Sequence, residues 1–243
     1  MFFKKIPFAL PLEEGEILRK RAKILTDLLE RDSGFSSIPV KQIDPSTMRH
    51  MLIKYDEFFF HGFIRQKLPS LKLSLSSRLI SSAGKFIYRK GPFGRITDAE
   101  IRLSSDFLFR MKDGPFELNG LCANTPQEAF LIVFEHELCH AAETALYGKT
   151  GHSSRFLTLV NGLFGHTATR HKLPTRRQEA HGCGLSVGMQ ARFCVNGAEL
   201  YGIITYIGKT ATIMVPDTAG SYKDRSGRRY TKYRVPLSSI LTP

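Results

Sequence analysis

The chain has few cysteines and no long apolar run, and both absences exclude familiar classes of protein. Its four cysteines, Cys122, Cys139, Cys183 and Cys194, are far apart and form no C-x-x-C pair. This spacing argues against a zinc ribbon and a disulfide framework, and it favours a reducing compartment. No apolar run approaches the roughly 20 residues that a membrane-spanning helix needs. We therefore expect no membrane partner.

The first residues also lack the pattern of a secretory signal. The segment MFFKKIPFALPLEEGE has two lysines and a short apolar stretch, but that stretch contains two prolines and is followed by acids. It shows no small-residue cleavage site. We therefore predict a cytoplasmic location, with association with the nucleoid as an alternative. The sequence has no internal repeat and no low-complexity tract.

Charge is the strongest feature of the composition. The 243 residues include 35 Lys and Arg against 22 Asp and Glu, for a formal net charge of +13. Hydrophobic residues make up 42%, so a packed core is expected. A positive excess of this size favours a polyanionic partner, because phosphate contacts release counterions. We predict nucleic acid, either DNA or RNA, as that partner, with a generally basic soluble protein as the alternative.

Hydrophobic periodicity predicts an α+β fold. Residues 13–31 form an amphipathic pattern typical of a helix, and a second helix is expected up to Phe60. Short strands are predicted near 71–75, 85–89 and 99–104. Five short strands after Gly184 indicate a small antiparallel barrel. The resulting domain prediction is a helical extension over 1–45, a main domain over 46–173, a basic linker over 174–184 and a barrel over 185–243.

The best-defined helix carries the chemistry. Thr125-Pro126-Gln127-Glu128 is a capping box with proline at the first helical position, and the helix should end at Gly148. Within it, His136, Glu137 and His140 form an H-E-x-x-H motif. Histidines four residues apart share one helix face, so both can bind one zinc ion. Glu137 can then accept a proton from a water molecule in the site.

A catalytic zinc site needs a third protein ligand. His152 stands just before the next predicted helix, where its ring can point back at the first two histidines, and we favour it. Glu143 is a rival, but it lies one helical turn beyond His140. His166 and His171 are later alternatives. The prediction is one zinc ion per chain, held by His136, His140 and His152.

An ordered set of segments resembles the SprT family of zinc metalloproteases, which includes Spartan. The set comprises H-E-L-C-H, Gly151-His152-x-x-x-Phe156 and LFGHT, with the upstream segments YDEFFFHG, LSSRLISSAGKFIY and IRLSSDFL. It covers residues 46–173. The resemblance implies a zincin-type metallopeptidase domain with the motif on its central helix, three histidine ligands and a glutamate base. It also implies cleavage of proteins associated with or crosslinked to DNA.

The chain departs from this family in two places. Ser153 follows the third histidine, where Spartan-like members have glycine. The chain ends in the predicted barrel, whereas several bacterial members end in a cysteine zinc ribbon. The barrel resembles KOW- or Tudor-type modules in its strand spacing and in the closing YRVPLSSIL. This second departure leaves the partner open.

Two further groups of residues are candidates for binding. His166 and His171 can contact substrate or an oxyanion near the metal, or else cap a helix or lie in the linker. A basic track interleaved with tyrosines suits a phosphate backbone with stacked bases, although the same residues also suit a solvated loop. The basic residues of this track are Arg225, Arg228, Arg229, Lys232 and Arg234.

The sequence thus predicts a zinc peptidase acting on protein associated with nucleic acid. The alternative is a nucleic-acid-associated binding protein in which zinc is structural and nothing is turned over. Structural zinc is usually held by four protein ligands. That alternative requires a fourth ligand, for which Glu143, His166 and His171 are the candidates.

Overall fold

The computed structural model describes residues 6–111, 114–169 and 176–241, and it divides the chain into two units over 1–173 and 174–243. The first unit combines helices with two small sheets. Its helices are α1 Glu14–Arg31, α2 Ser33–Ser36, α3 Pro45–Phe60, α4 Phe63–Lys67, α5 Ser105–Arg110, α6 Pro126–Tyr147 and α7 Ser154–Phe164. The α+β class predicted from the sequence is confirmed.

A three-stranded sheet packs against α6. It contains β1 Leu71–Ser76, β2 Gly84–Lys90 and β3 Ile96–Ser104 in the order β1-β3-β2, so that β2 is an edge strand. Strand β1 runs parallel to β3, and β2 runs antiparallel to it. A separate hairpin joins β4 Phe116–Leu118 to β5 Leu121–Ala123.

Helix α6 is the centre of the first unit because it is buried around most of its circumference. Its start is fixed as the capping box predicts: the Thr125 hydroxyl accepts a hydrogen bond from the Glu128 backbone N–H. The Glu128 carboxylate in turn accepts one from the Asn124 N–H. Gly148 ends the helix in the left-handed conformation, with φ 73°.

Aromatic rings from α3, α6 and α7 pack together. Tyr55 and Phe59 of α3 stack at 5.5 Å, and both contact Phe164 at the end of α7. Tyr55 also meets Phe134 of α6 edge-on at 5.2 Å. These fully buried rings fix the position of α6 relative to α3 and α7.

The second unit is a short helix followed by an antiparallel sheet. Its elements are α8 Arg176–Gly182, β6 Gln190–Val195, β7 Ala198–Ile207, β8 Thr210–Pro216, β9 Tyr222–Lys223 and β10 Arg229–Pro236. The strand order is β6-β7-β8-β10-β9, and Leu241 returns to pair with Arg192 of β6. Helix α8 lies where the sequence predicts an aperiodic linker. The helix-forming Arg, Gln, Glu and Ala residues of this segment account for the helix.

No helix in the described ranges combines the length and the apolar character that crossing a bilayer requires.

Candidate metal centre

Helix α6 and the loop before α7 bring three imidazole rings together. The His136 Nε2 atom lies 3.2 Å from His140 Nε2 and 3.0 Å from His152 Nε2. These three residues form a group that can hold a metal ion, with their ligand atoms all within 4.8 Å of one another. The group includes both histidines of the H-E-x-x-H motif.

The hydrogen bonds of His140 define which of its ring nitrogens is available. The Thr150 hydroxyl donates to a Glu143 carboxylate oxygen at 2.7 Å, so its own oxygen is left to accept. The His140 Nδ1 atom lies 2.7 Å from the Thr150 hydroxyl oxygen and therefore carries the ring proton. The Nε2 lone pair of His140 consequently faces the other two histidines, as a metal ligand requires.

Glu143 also holds the loop that carries the third histidine. Its buried carboxylate accepts hydrogen bonds from the Gly151 backbone N–H at 3.1 Å and from the Ser153 hydroxyl at 3.3 Å. These two residues flank His152. The sequence left Glu143 open as a rival ligand, but the structure places it in this supporting role, outside the histidine group.

A single phenylalanine ring supports all three histidines. Phe156 of α7 is fully buried, and its ring stacks on His140 with centroids 4.2 Å apart. It meets His136 and His152 at 5.0 and 5.1 Å. Burial, with a smaller contribution from His152, lowers the pKa of His140 to about 4. His140 is therefore neutral at pH 7, the protonation state that binds metal.

Glu137 is buried beside this cluster and against the edge strand β2. A Cβ atom at Gly84 would lie 2.7 Å from Glu137 Cγ, so glycine is what allows the strand to approach so closely. Burial raises the pKa of Glu137 to about 8, although a hydrogen bond from the Phe86 backbone opposes the shift. A cation at the histidines would favour the carboxylate form.

The histidines and Glu137 open into one cleft of about 480 Å³. Its walls come from β2, from α6, from the turn between β4 and β5, and from the loop before α7. Part of the lining is polar, as is usual in binding sites. The lining residues outside the metal cluster include Ser82, Lys85, Phe86, Asn119, Thr150 and Thr169.

Behind the metal helix lies a buried ion pair that the sequence did not reveal. Glu135, fully buried, accepts two hydrogen bonds from the Arg21 guanidinium, both at 2.7 Å. Its carboxylate also accepts one from the Tyr55 hydroxyl at 2.8 Å and contacts His166 Nε2 at 2.9 Å. Burial alone would raise the pKa of Glu135, but Arg21 and His166 together lower it.

This pairing gives His166 a position different from the one the sequence predicted. Its ring is buried against Glu135, and it does not line the cleft that contains Glu137. The contact with Glu135 holds the ring there, and the structure does not bring His166 into the histidine group. Its contact with substrate or an oxyanion stays a prediction. His171, the companion prediction, lies outside the described residues.

The predicted phosphate track is distributed over a strand and a turn. Lys232 and Arg234 are exposed on β10, whereas Arg225 and Arg228 belong to the turn before it. Arg229 donates to the Gly220 carbonyl at 3.0 Å. The structure thus places Lys232 and Arg234 two residues apart on one strand face and the other three at its end.

We expect Glu143→Ala to weaken metal binding, because it removes the support of both His140 and His152. Loss of such a supporting carboxylate lowers metal affinity by roughly 10- to 100-fold. Competition with a zinc-chelating dye measures the dissociation constant. Thr150→Val removes the hydroxyl that supports His140 but leaves the support of the His152 loop, so it should weaken metal binding less. Wild-type affinity in Glu143→Ala would contradict this role.

Comparison with known proteins agrees with the site. The family model described as the SprT-like family matches residues 48–177, a range that includes His136, Glu137, His140 and His152. A search of curated proteins finds no match. The family match spans more than half of the 243 residues and stops before the sheet of the second unit. The chain therefore belongs to the SprT-like family.

Proposed function

We propose that this protein is a zinc-dependent peptidase that cleaves proteins associated with or crosslinked to DNA. The observation that carries the proposal is a cluster of three imidazoles beside a buried glutamate in an open cleft. Membership of the SprT-like family points to a metallopeptidase-like domain. The net charge of +13 supports a nucleic-acid partner.

The three histidines fit zinc in donor type and in spacing. Zinc–imidazole bonds of about 2.0–2.1 Å in tetrahedral geometry separate the nitrogen atoms by roughly 3.3 Å. The two Nε2 separations of 3.0 and 3.2 Å are close to this value. Catalytic zinc keeps three protein ligands and one open position. A structural zinc site would need a fourth ligand, and the described residues add no Cys, Asp, Glu or further His to the group.

Bound zinc would polarise the scissile carbonyl and acidify the attacking water. Glu137 is the base: its carboxylate takes one proton from that water as the oxygen attacks the carbonyl carbon. The C–N bond then breaks, and Glu137 returns the proton to the departing amine. The close approach of Gly84 and the Phe86 N–H hold the Glu137 side chain in place.

The edge strand offers a way to bind a polypeptide. Strand β2 pairs with β3 and stands at the end of its sheet, and its residues Gly84, Lys85 and Phe86 line the cleft. An extended chain can add to such an edge through backbone hydrogen bonds, which select for polypeptide rather than for particular side chains. This geometry favours an unfolded or locally extended substrate.

The second unit supplies a surface suited to single-stranded nucleic acid. Register places Tyr206, Thr212 and Arg234 opposite one another on neighbouring strands, and likewise Ile203, Met214 and Lys232. Tyr206 is 54% exposed and Tyr201, also on β7, is 60% exposed. Exposed rings beside basic side chains allow bases to stack while phosphates pair. The pairing of Leu241 with β6 supports a KOW- or Tudor-like barrel for this unit.

We expect the double charge reversal Lys232→Glu/Arg234→Glu to weaken binding of single-stranded DNA. Two lost phosphate contacts should reduce the slope of log affinity against log salt by about 1.4. Fluorescence anisotropy across a salt series measures both quantities. Lys41→Glu/Lys67→Glu makes the same charge change at exposed positions of the first unit. Equal losses in the two double variants would show a general charge effect and contradict a binding face on the sheet.

The proposed function is tested by cleavage of a basic protein by zinc-loaded enzyme, with and without single-stranded DNA. Intact-mass spectrometry of the products identifies hydrolysed peptide bonds. Cleavage that DNA stimulates supports the whole proposal, and cleavage independent of DNA supports the peptidase alone. A chain that binds one zinc ion but cleaves nothing under either condition would favour the non-catalytic alternative.

A further inference from the structure

Asn119 occupies a rigid position at the cleft. It lies in the turn between β4 and β5, followed by Gly120, and both residues have positive φ values of 52° and 81°. Its backbone carbonyl accepts hydrogen bonds from the N–H groups of Thr167 at 3.0 Å and Ala168 at 2.9 Å. The turn is therefore fastened to the segment that follows α7.

The side chain of Asn119 has unused hydrogen-bonding capacity. The residue is only 4% exposed, yet its amide makes no hydrogen bond to any residue that the structure describes. Buried amides nearly always have partners. The amide atoms of Asn119 remain accessible to solvent. The space that Asn119 lines is the cleft that also contains His136 and Glu137.

We infer that Asn119 is a substrate-binding residue, whose Nδ2–H donates a hydrogen bond to a backbone carbonyl of the bound polypeptide. The inference rests on the proposed peptidase function. A peptide laid along β2 brings carbonyl oxygens into this cleft, and such an oxygen satisfies the otherwise unpaired amide. Asn119 and β2 both contribute to the cleft lining, so the peptide would be held by both.

A purely conformational role is the competing explanation, because asparagine tolerates positive φ in tight hairpin turns. The chain provides a matched control for it. Asn196-Gly197, between β6 and β7, has φ values of 50° and 80°, nearly the same as those of Asn119-Gly120. Asn196 is exposed and lies in the second unit. The two asparagines thus share a backbone conformation and differ in their surroundings.

Three variants separate the two roles. Asn119→Gly keeps a residue that readily adopts positive φ but removes the amide. Asn119→Asp keeps the shape of the side chain but replaces its N–H donor with a carboxylate oxygen. Asn196→Gly makes the control change in the turn between β6 and β7. We expect kcat/KM to fall roughly 100-fold in both Asn119 variants. Zinc content and the thermal unfolding midpoint should stay near wild type, and Asn196→Gly should leave kinetics unchanged.

A binding measurement separates failure of this inference from failure of the proposed function. Isothermal titration of zinc-loaded protein with a dipeptide hydroxamate and with acetohydroxamate compares a ligand that has peptide carbonyls with one that has none. The Asn119 variants should bind the dipeptide hydroxamate about 10-fold more weakly, and acetohydroxamate as wild type does. Equal affinity of wild type and both variants for the dipeptide hydroxamate would overturn the role of Asn119, whether or not the protein cleaves any substrate.

Discussion

Glu137→Gln should keep zinc and lose peptide cleavage. Glutamine has nearly the same size as glutamate, and residue 137 is not part of the histidine group. The metal ligands should therefore keep their positions. It cannot take a proton from water, and removal of a general base costs roughly 10²- to 10⁴-fold in rate. Zinc content by atomic absorption and initial rates of cleavage, measured on the same preparation, check both parts.

Glu30→Gln is the control, since Glu30 is an exposed acid of the same unit. It should retain both zinc and wild-type rates. Full cleavage by Glu137→Gln would rule out Glu137 as the base, and loss of zinc in that variant would show that the carboxylate supports the site. The first of these results would remove the mechanism and leave the metal site unaffected.

Arg21→Leu should strongly destabilise the first unit. The substitution leaves the fully buried Glu135 carboxylate without its guanidinium partner. Breaking a buried ion pair by removing one partner typically costs about 3–5 kcal/mol. This is a large share of the roughly 5–15 kcal/mol by which domains are stable. Urea unfolding followed by circular dichroism at 222 nm measures the free energy of unfolding, since the long helices belong to this unit.

Arg19→Leu on the same helix is the matched control, because Arg19 is exposed. Its effect should stay within about 0.5 kcal/mol, as is usual for surface substitutions. A similar small effect of Arg21→Leu would show that the Glu135 pair contributes little to stability. Since α1 precedes the matched range 48–177, a large effect would also show that the family domain depends on the preceding helix.

Local signals in the sequence predicted the elements that carry the metal ligands. The capping box at Thr125 and the glycine at 148 fix both ends of α6, and the H-E-x-x-H spacing determines which faces of the helix its histidines occupy. His152 could be favoured over Glu143 because a residue ahead of a helix can turn back towards the preceding one. These are effects of neighbouring residues, so periodicity and capping chemistry suffice to predict them.

Contacts between distant residues were not predictable in this way. Glu135 lies within the same helix, but its partner Arg21 is 114 residues away. No local pattern connects them, so the sequence does not reveal that His166 also pairs with Glu135. Asn119-Gly120 reads as a hairpin turn in the sequence, and only the fold shows that this turn lines the cleft. The basic track is a similar case, because only the strand register shows that Lys232 and Arg234 share one face of β10.

The most direct test of the account is cleavage of an unstructured protein by the purified chain before and after removal of its metal. The account predicts hydrolysis by the zinc-loaded protein, loss of hydrolysis after treatment with 1,10-phenanthroline, and recovery when one equivalent of zinc is restored. His152→Ala should show no recovery at that zinc concentration. Hydrolysis that persists in the chelated protein and in His152→Ala would contradict a three-histidine catalytic zinc site.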